Sequence, residues 1–243
     1  MSKTICITGA SSGIGAETAK MLAKDNKIIV HFKTSKDKAN QVATEIEKLG
    51  GVAHIVQADL TTEKSCVELV RCITKVTSKL DVLVNNAGSL YKRQYVDQLS
   101  WEFMIQTFSL NTFGPMKLTS LCLPLLKKGQ DPCIINITTV GIRRGAPSAS
   151  IYGASKGAMD AFTRSIAAEL APQIRVNAVA PGVIKTPFHD NISSLERFEN
   201  WRQNTLLKRI GDPVHIAQAI KFIIENDYLD GETIDVNGGQ YVR

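Results

Sequence analysis

Short apolar runs rich in β-branched residues alternate along this chain with longer stretches that carry apolar residues at helical spacing. The runs predict strands at Thr4–Thr8, Ile28–Phe32, Ala53–Gln57, Val82–Asn85, Cys133–Thr138, Arg175–Val179 and Thr233–Val236. The stretches between them predict helices at Gly13–Lys24, Lys36–Leu49, Glu63–Ser78, Trp101–Lys127, Tyr152–Leu170 and Pro213–Asn226. Strands separated in this way by helices predict a parallel sheet covered on both faces. No Pro- or Ser-rich linker and no internal repeat interrupts residues 1–243, so the pattern predicts one doubly wound α/β domain with a seven-stranded sheet. Such a sheet binds ligands beyond the carboxyl ends of its strands, where the winding direction reverses.

Composition narrows this only slightly. A hydrophobic fraction of 44% supports a full core and excludes a disordered chain. No run of about 18 apolar residues occurs, and the chain enters its first strand at Thr4, which together predict no leader, no membrane span and a cytoplasmic location. Cys6, Cys66, Cys72, Cys122 and Cys133 are odd in number and contain no Cys-x-x-Cys pair, which fits reduced thiols. His31, His54, His189 and His215 have no metal-ligand spacing, so no metal site is expected. The formal charge of +6 falls in small clusters, among them Lys33/Lys36/Lys38 and Arg143/Arg144, without the folds or aromatic interleaving of a nucleic-acid binder. Most of these cations read as solvated surface; Lys33 is set apart by its position.

Candidate chemistry gathers at strand ends. Thr8-Gly9-Ala10-Ser11-Ser12-Gly13-Ile14-Gly15 follows the first strand and opens a helix. Glycines there permit positive φ and let backbone N–H groups approach a pyrophosphate, which a helix N-terminus also favours. The second strand ends in His31-Phe32-Lys33-Thr34-Ser35, with no acid to hydrogen-bond a ribose, and with a cation and two hydroxyls suited to a 2′-phosphate. That composition favours NADP(H) over NAD(H). Asp59 and Leu60 follow the third strand, Asn86-Ala87-Gly88 the fourth, and Pro181-Gly182-Val183-Ile184-Lys185-Thr186 the sixth. Tyr152 and Lys156 stand four apart on one helix and share a face, where an ammonium lowers the pKa of a phenol. Asn111 lies inside an otherwise apolar helical stretch, a poor place for an asparagine, just before Gly114-Pro115; a kink accounts for it as well as a function does.

Taken together these motifs resemble the short-chain dehydrogenase/reductase family over essentially the whole chain. The resemblance implies a single Rossmann-type domain that transfers hydride between a nicotinamide cofactor and a carbonyl or secondary alcohol. It implies Tyr152 as acid/base and Lys156 as ligand of the nicotinamide ribose and tuner of the tyrosine. Asn111 would hold a water that links the lysine to solvent. Thr139 occupies the position where the family usually has a serine that binds the substrate oxygen; it keeps the hydroxyl and adds a methyl that stiffens χ1. Asp59 would bind the adenine amino group, unless it caps the next helix, a role open equally to Thr61 or Thr62. Asn86, Ala87 and Gly88 would lie along the adenosine, while Ile184 and Thr186 would hold the carboxamide. Residues 188–207 correspond to the family's substrate lid.

Arg209-Ile210-Gly211-Asp212-Pro213 and Val236-Asn237-Gly238-Gly239 are most similar to the 3-oxoacyl-carrier-protein reductase branch, and imply a small-molecule or acyl-thioester substrate. A sugar or polyol dehydrogenase, or a non-catalytic NADP(H) sensor, is the alternative. Ala154, Gly157, Ala158 and Ala161 form a small-residue face on the Tyr152 helix. Related enzymes assemble through that helix, which implies a homotetramer or failing that a dimer, unless the alanines simply face the sheet.

Overall fold

Seven strands, β1 (Thr4–Ile7), β2 (Lys27–Phe32), β3 (Val52–Gln57), β4 (Val82–Asn85), β5 (Cys133–Ile137), β6 (Arg175–Pro181) and β7 (Thr233–Val236), pair in parallel in the order β3-β2-β1-β4-β5-β6-β7. The computed structural model describes residues 2–190 and 192–242. The helices are α1 (Gly13–Met21), α2 (Lys36–Lys48), α3 (Glu63–Val76), α4 (Trp101–Phe108), α5 (Gly114–Leu126), α6 (Gly141–Arg144), α7 (Ser150–Leu170), α8 (Leu195–Asn204) and α9 (Pro213–Glu225). All seven predicted strands form, each within two residues of its expected bounds.

The sheet is buried on both faces, and its pleat sorts the apolar side chains. Along β1, Ile5 and Ile7 enter the core shared with α1, α2 and α9, while Cys6 enters the one shared with α3, α5 and α7. Each fully buried Ile or Leu contributes about 2 kcal/mol through removal of apolar surface from water. A polar ladder crosses the second core. The Asn85 amide donates to Thr119 Oγ1 (3.0 Å) and Asn136 Oδ1 (2.8 Å), and the Asn136 amide donates to Thr163 Oγ1 (2.9 Å). These buried bonds fix α5 and α7 on β4 and β5, which holds α7 at one height relative to the strand ends.

Two expectations change, and one alternative falls away. The helix predicted over Trp101–Lys127 is not continuous: a π-helical turn at Ser109–Phe113 separates α4 from α5, with Asn111 at its centre. Pro115 stands in the first turn of α5, directly after that π-turn. Two helices were not foreseen, α6 and α8, the second lying inside residues 188–207; Asn191 of that stretch lies outside the described residues. Finally, the small residues of α7 do not face the sheet. Ser155, Lys156, Met159 and Thr163 do, whereas Ala154 and Ala161 are exposed and a Cβ added at Gly153 or Gly157 meets open space.

Candidate active site

β1 and β4 are neighbours although three strands apart in sequence, so the winding reverses between them. The crevice this opens is a cavity of about 870 Å³ along the carboxyl ends of the strands. Gly9 (φ 64°) and Gly13 (φ 54°) both take left-handed backbone, and a Cβ at Gly15 would come within 2.5 Å of the Gly9 carbonyl oxygen. Gly15 therefore packs behind the turn, while Gly9, Ser11, Ser12, Gly13 and Ile14 line the cavity. Ser12 precedes α1 without capping it through its side chain, which leaves the helix's first N–H groups open to an anion. The Asn86 amide donates to the carbonyls of Thr8 (2.8 Å) and Gly9 (3.2 Å), and Thr8 Oγ1 accepts from the N–H groups of Asn86 and Ala87. Asn86 thus ties the turn after β4 to the turn after β1.

His31, which the sequence did not single out, completes this arrangement. Its Nδ1 accepts the Gly9 N–H at 3.1 Å, so Nε2 carries the proton and donates to the Ala58 carbonyl at 3.1 Å. Burial drives the imidazole pKa down to about 4, against the opposite pull of the Ala58 carbonyl and Asp59. Acid should loosen the fold through this residue. Above about pH 6.5 the ring is neutral folded or unfolded and adds no pH dependence; below it the unfolded state takes up the proton first, and stability falls until the folded ring titrates near pH 4. The accumulated loss is about 3 kcal/mol at pH 4. Melting temperatures measured across this window should fall less steeply in His31→Gln than in the wild type; parallel curves would dismiss the assignment.

Lys33 and Thr34 line the cavity just past β2, and Lys33 Nζ pairs with Asp59 Oδ2 at 2.8 Å, both side chains being more than a third exposed. Burial raises the Asp59 pKa, but Lys33 and the N–H and hydroxyl of Thr61 outweigh it and hold the carboxyl below its usual value. Thr62, not Asp59, caps α3, accepting the Ser65 N–H at 3.3 Å. Leu60 is buried against the same wall.

At the centre of the crevice three elements meet. Lys156, on α7 and almost fully buried, donates from Nζ to the Ile137 carbonyl at the end of β5 (2.7 Å), and burial lowers its pKa to about 8. Burial pushes the Tyr152 phenol up, and the hydroxyl of Thr139, just past β5, partly offsets that by hydrogen-bonding to it. Thr139 Oγ1 also accepts the Gly141 N–H at 3.2 Å, which fixes its rotamer. Thr138 turns away, its hydroxyl donating to the Val179 carbonyl. Asn111, fully buried in the π-turn, spends both ends of its amide on Ser89, accepting its N–H (2.9 Å) and donating to its carbonyl (2.8 Å). A Cβ at Gly88 would stand 2.8 Å from Asn111 Oδ1 and 3.2 Å from Lys156 Nζ, so only glycine lets these groups converge.

Ala87 and Pro181, Gly182, Ile184 and Thr186 line the opposite wall, and a Cβ at Gly13 would touch the Thr186 side chain at 3.2 Å. Above them the segment 188–207 places Phe188 against Tyr152 (ring centroids 5.7 Å apart) and clusters His189, Phe198 and Trp201 within 5.4 Å, Phe198 edge to face with the other two and His189 tilted on Trp201. Arg93, Arg144, Arg197 and Trp201 also line this mouth, and the sequence reading had named none of them as site residues.

The family model of the short chain dehydrogenases matches residues 3–197. The "Uncharacterized oxidoreductase YhxC" of Bacillus subtilis is 35% identical over 246 residues, an alignment spanning 99% of this chain and 85% of that protein. Among solved structures, a 3-ketoacyl-(acyl-carrier-protein) reductase from Brucella melitensis complexed with NADH superposes with a TM-score of 0.90 at 31% identity, covering 99% of this chain and 98% of that one. The angucycline C-6 ketoreductase LanV with bound NADP gives a TM-score of 0.90 at 29% identity, again over 99% and 98% of the two chains.

Proposed function

The chain belongs to the short-chain dehydrogenase family, and from that premise we propose that it is an NADPH-preferring reductase of carbonyl compounds. The observation that carries this reading is the meeting of the Tyr152 phenol, the Thr139 hydroxyl and the Lys156 ammonium in one crevice with the glycine turn. The residues fit a dinucleotide: left-handed glycines and uncapped helix N–H groups suit a pyrophosphate, and Gly88 leaves room for Asn111 and Lys156 to approach the crevice. When bound, the cofactor supplies the hydride.

Thr139 and Tyr152 then hold the substrate oxygen between two O–H groups. Tyr152 gives that oxygen its proton as the carbonyl carbon gains hydride, so a ketone, one hydride and one proton become a secondary alcohol. Lys156 keeps a positive charge beside the phenolate this leaves, fixed by the Ile137 carbonyl. Asn111 positions Ser89 and, through it, the loop beside the lysine. Phe188 and Trp201 exclude water from above.

The preference for NADPH rests on Lys33, Thr34 and Ser35 at the adenosine end, with no acid among the described residues that line the cavity. The Lys33–Asp59 pair is exposed and correspondingly weak, so a 2′-phosphate can draw the lysine off. The test is a panel of 3-oxoacyl thioesters, ketoses, diketones and steroid ketones, run with NADPH and NADH. Turnover favouring NADPH supports the reading; tight cofactor binding without turnover on any class would leave a sensor instead.

Assembly as a homotetramer is part of the same proposal. Exposed Ala154 and Ala161 on α7 permit close helix packing, and Trp101, Ile105 and Phe113 expose apolar surface on α4 and the π-turn. Light scattering at micromolar concentration should give a tetramer mass, and a monomer that keeps full activity on dilution would dismiss it.

A further inference from the structure

Nothing in the reaction proposed above calls for the cations at the mouth of the crevice, where the substrate enters. Arg93 sits on the loop after β4 and Arg197 on α8, so two elements far apart in sequence bring their guanidinium groups to one wall of the cavity. Arg93 is held on two sides: its Nε donates to the Ile192 carbonyl at 2.9 Å, and its guanidinium lies over the Trp201 ring, 5.6 Å from the centroid. Among the described residues, no hydrogen bond engages its two terminal nitrogens. Arg144 lines the same mouth from α6. Among the described residues, no carboxylate lies within 4.0 Å of any of the three, although nine acids elsewhere in the chain take part in the ion pairs of Lys3, Lys20, Lys33, Lys79, Lys117 and Lys221 and of Arg164 and Arg202. Asp190, on the outer side of Arg93, does not pair with it.

Two like charges brought together at a partly buried wall repel one another, and Arg93 is accordingly shifted down by burial and by Arg197. An arrangement of that kind is relieved by an anion, and a guanidinium whose Nη pair is unengaged among the described residues, with its plane fixed by an aromatic ring, offers two parallel N–H donors to carboxylate or phosphate oxygens. The aromatic ledge of Phe188 and Trp201 leads from this fork to Tyr152. Building on the proposed reductase activity, we infer that the substrate is a carbonyl compound bearing an anionic group, carboxylate or phosphate, which Arg93 and Arg197 bind at the mouth while the carbonyl reaches Tyr152 and Thr139.

Matched pairs test this: levulinate against its methyl ester for the carboxylate, and dihydroxyacetone phosphate against dihydroxyacetone for the phosphate. In the wild type kcat/KM should favour the charged member of at least one pair by about tenfold or more, and which pair responds identifies the anion. In Arg197→Met and in Arg93→Met that ratio should collapse towards one, and in Arg197→Glu it should invert. Arg197 sits on exposed α8 and serves if Arg93→Met fails to fold. A ratio near one in the wild type, or variants that weaken NADPH binding while keeping the ratio, would overturn the inference. Should no pair turn over, the reductase reading has failed, and calorimetric titration with succinate and inorganic phosphate decides separately: heat lost in the arginine variants supports the site, and identical heats in wild type and variants refute it.

Discussion

Tyr152→Phe should lower kcat/KM by about 10²–10⁴ on any carbonyl substrate the protein reduces, the range contributed by one well-placed proton donor. Binding of NADPH should hold, because the ring remains. Its edge still packs on Phe188, 5.7 Å away between centroids, and α7 keeps the Asn136–Thr163 bond that sets its height. Only the hydroxyl is removed, from a site where burial already opposes ionisation of the phenol. Single-turnover rates and a fluorescence titration of NADPH, measured on the same preparation, separate the two effects. A variant that retains more than about a tenth of wild-type turnover would place the proton donor elsewhere.

Thr139→Ala is the second large effect, expected at about 10²–10³ in kcat, the scale of losing one oxyanion donor. Two bonds go with the hydroxyl: the one to Tyr152, which opposes the upward shift of the phenol, and the one from Gly141 N–H, which shapes the start of α6. Thr139→Ser keeps both and should stay close to the wild type. Thr139→Val keeps the shape without the oxygen and should resemble Ala, which assigns the loss to the hydroxyl and not to volume. Equal activity in Thr139→Ala and the wild type would move the role to another residue.

How far the sequence led varies with the kind of interaction. β1, β4 and β5 were legible because a strand buried on both faces must be apolar nearly throughout, as Ile5-Cys6-Ile7 and Cys133-Ile134-Ile135 are. The glycine turn and the Tyr152/Lys156 pair were legible because their spacing is local. The π-turn was not: one extra residue per turn leaves the apolar rhythm of Phe103 to Leu126 almost unchanged, and only the awkward Asn111 hinted at it. α8 escaped because none of its residues is buried and its polar composition reads as loop. His31 was passed over as one histidine among four, although a polar residue inside the apolar run of β2 was a signal that something must bond it. Arg93 and Arg197 could not be joined at all without the fold, since 104 positions separate them in the chain.

The bridge from His31 to Gly9 and Ala58 has a bearing on redesign. In the proposed cofactor site, the residue that braces the glycine turn, His31, differs from the residues offered to the adenosine ribose, the first of which, Lys33, lies two positions on. Lys33 and Thr34 are exposed and carry none of the turn's hydrogen bonds, whereas His31 is buried and carries one to each neighbouring strand end. On that proposal, a library confined to Lys33, Thr34 and Ser35 should exchange one nicotinamide dinucleotide for the other without touching the turn's hydrogen bonds. Extending the randomised window by two residues towards the N-terminus would reach His31 and confound selectivity with foldedness.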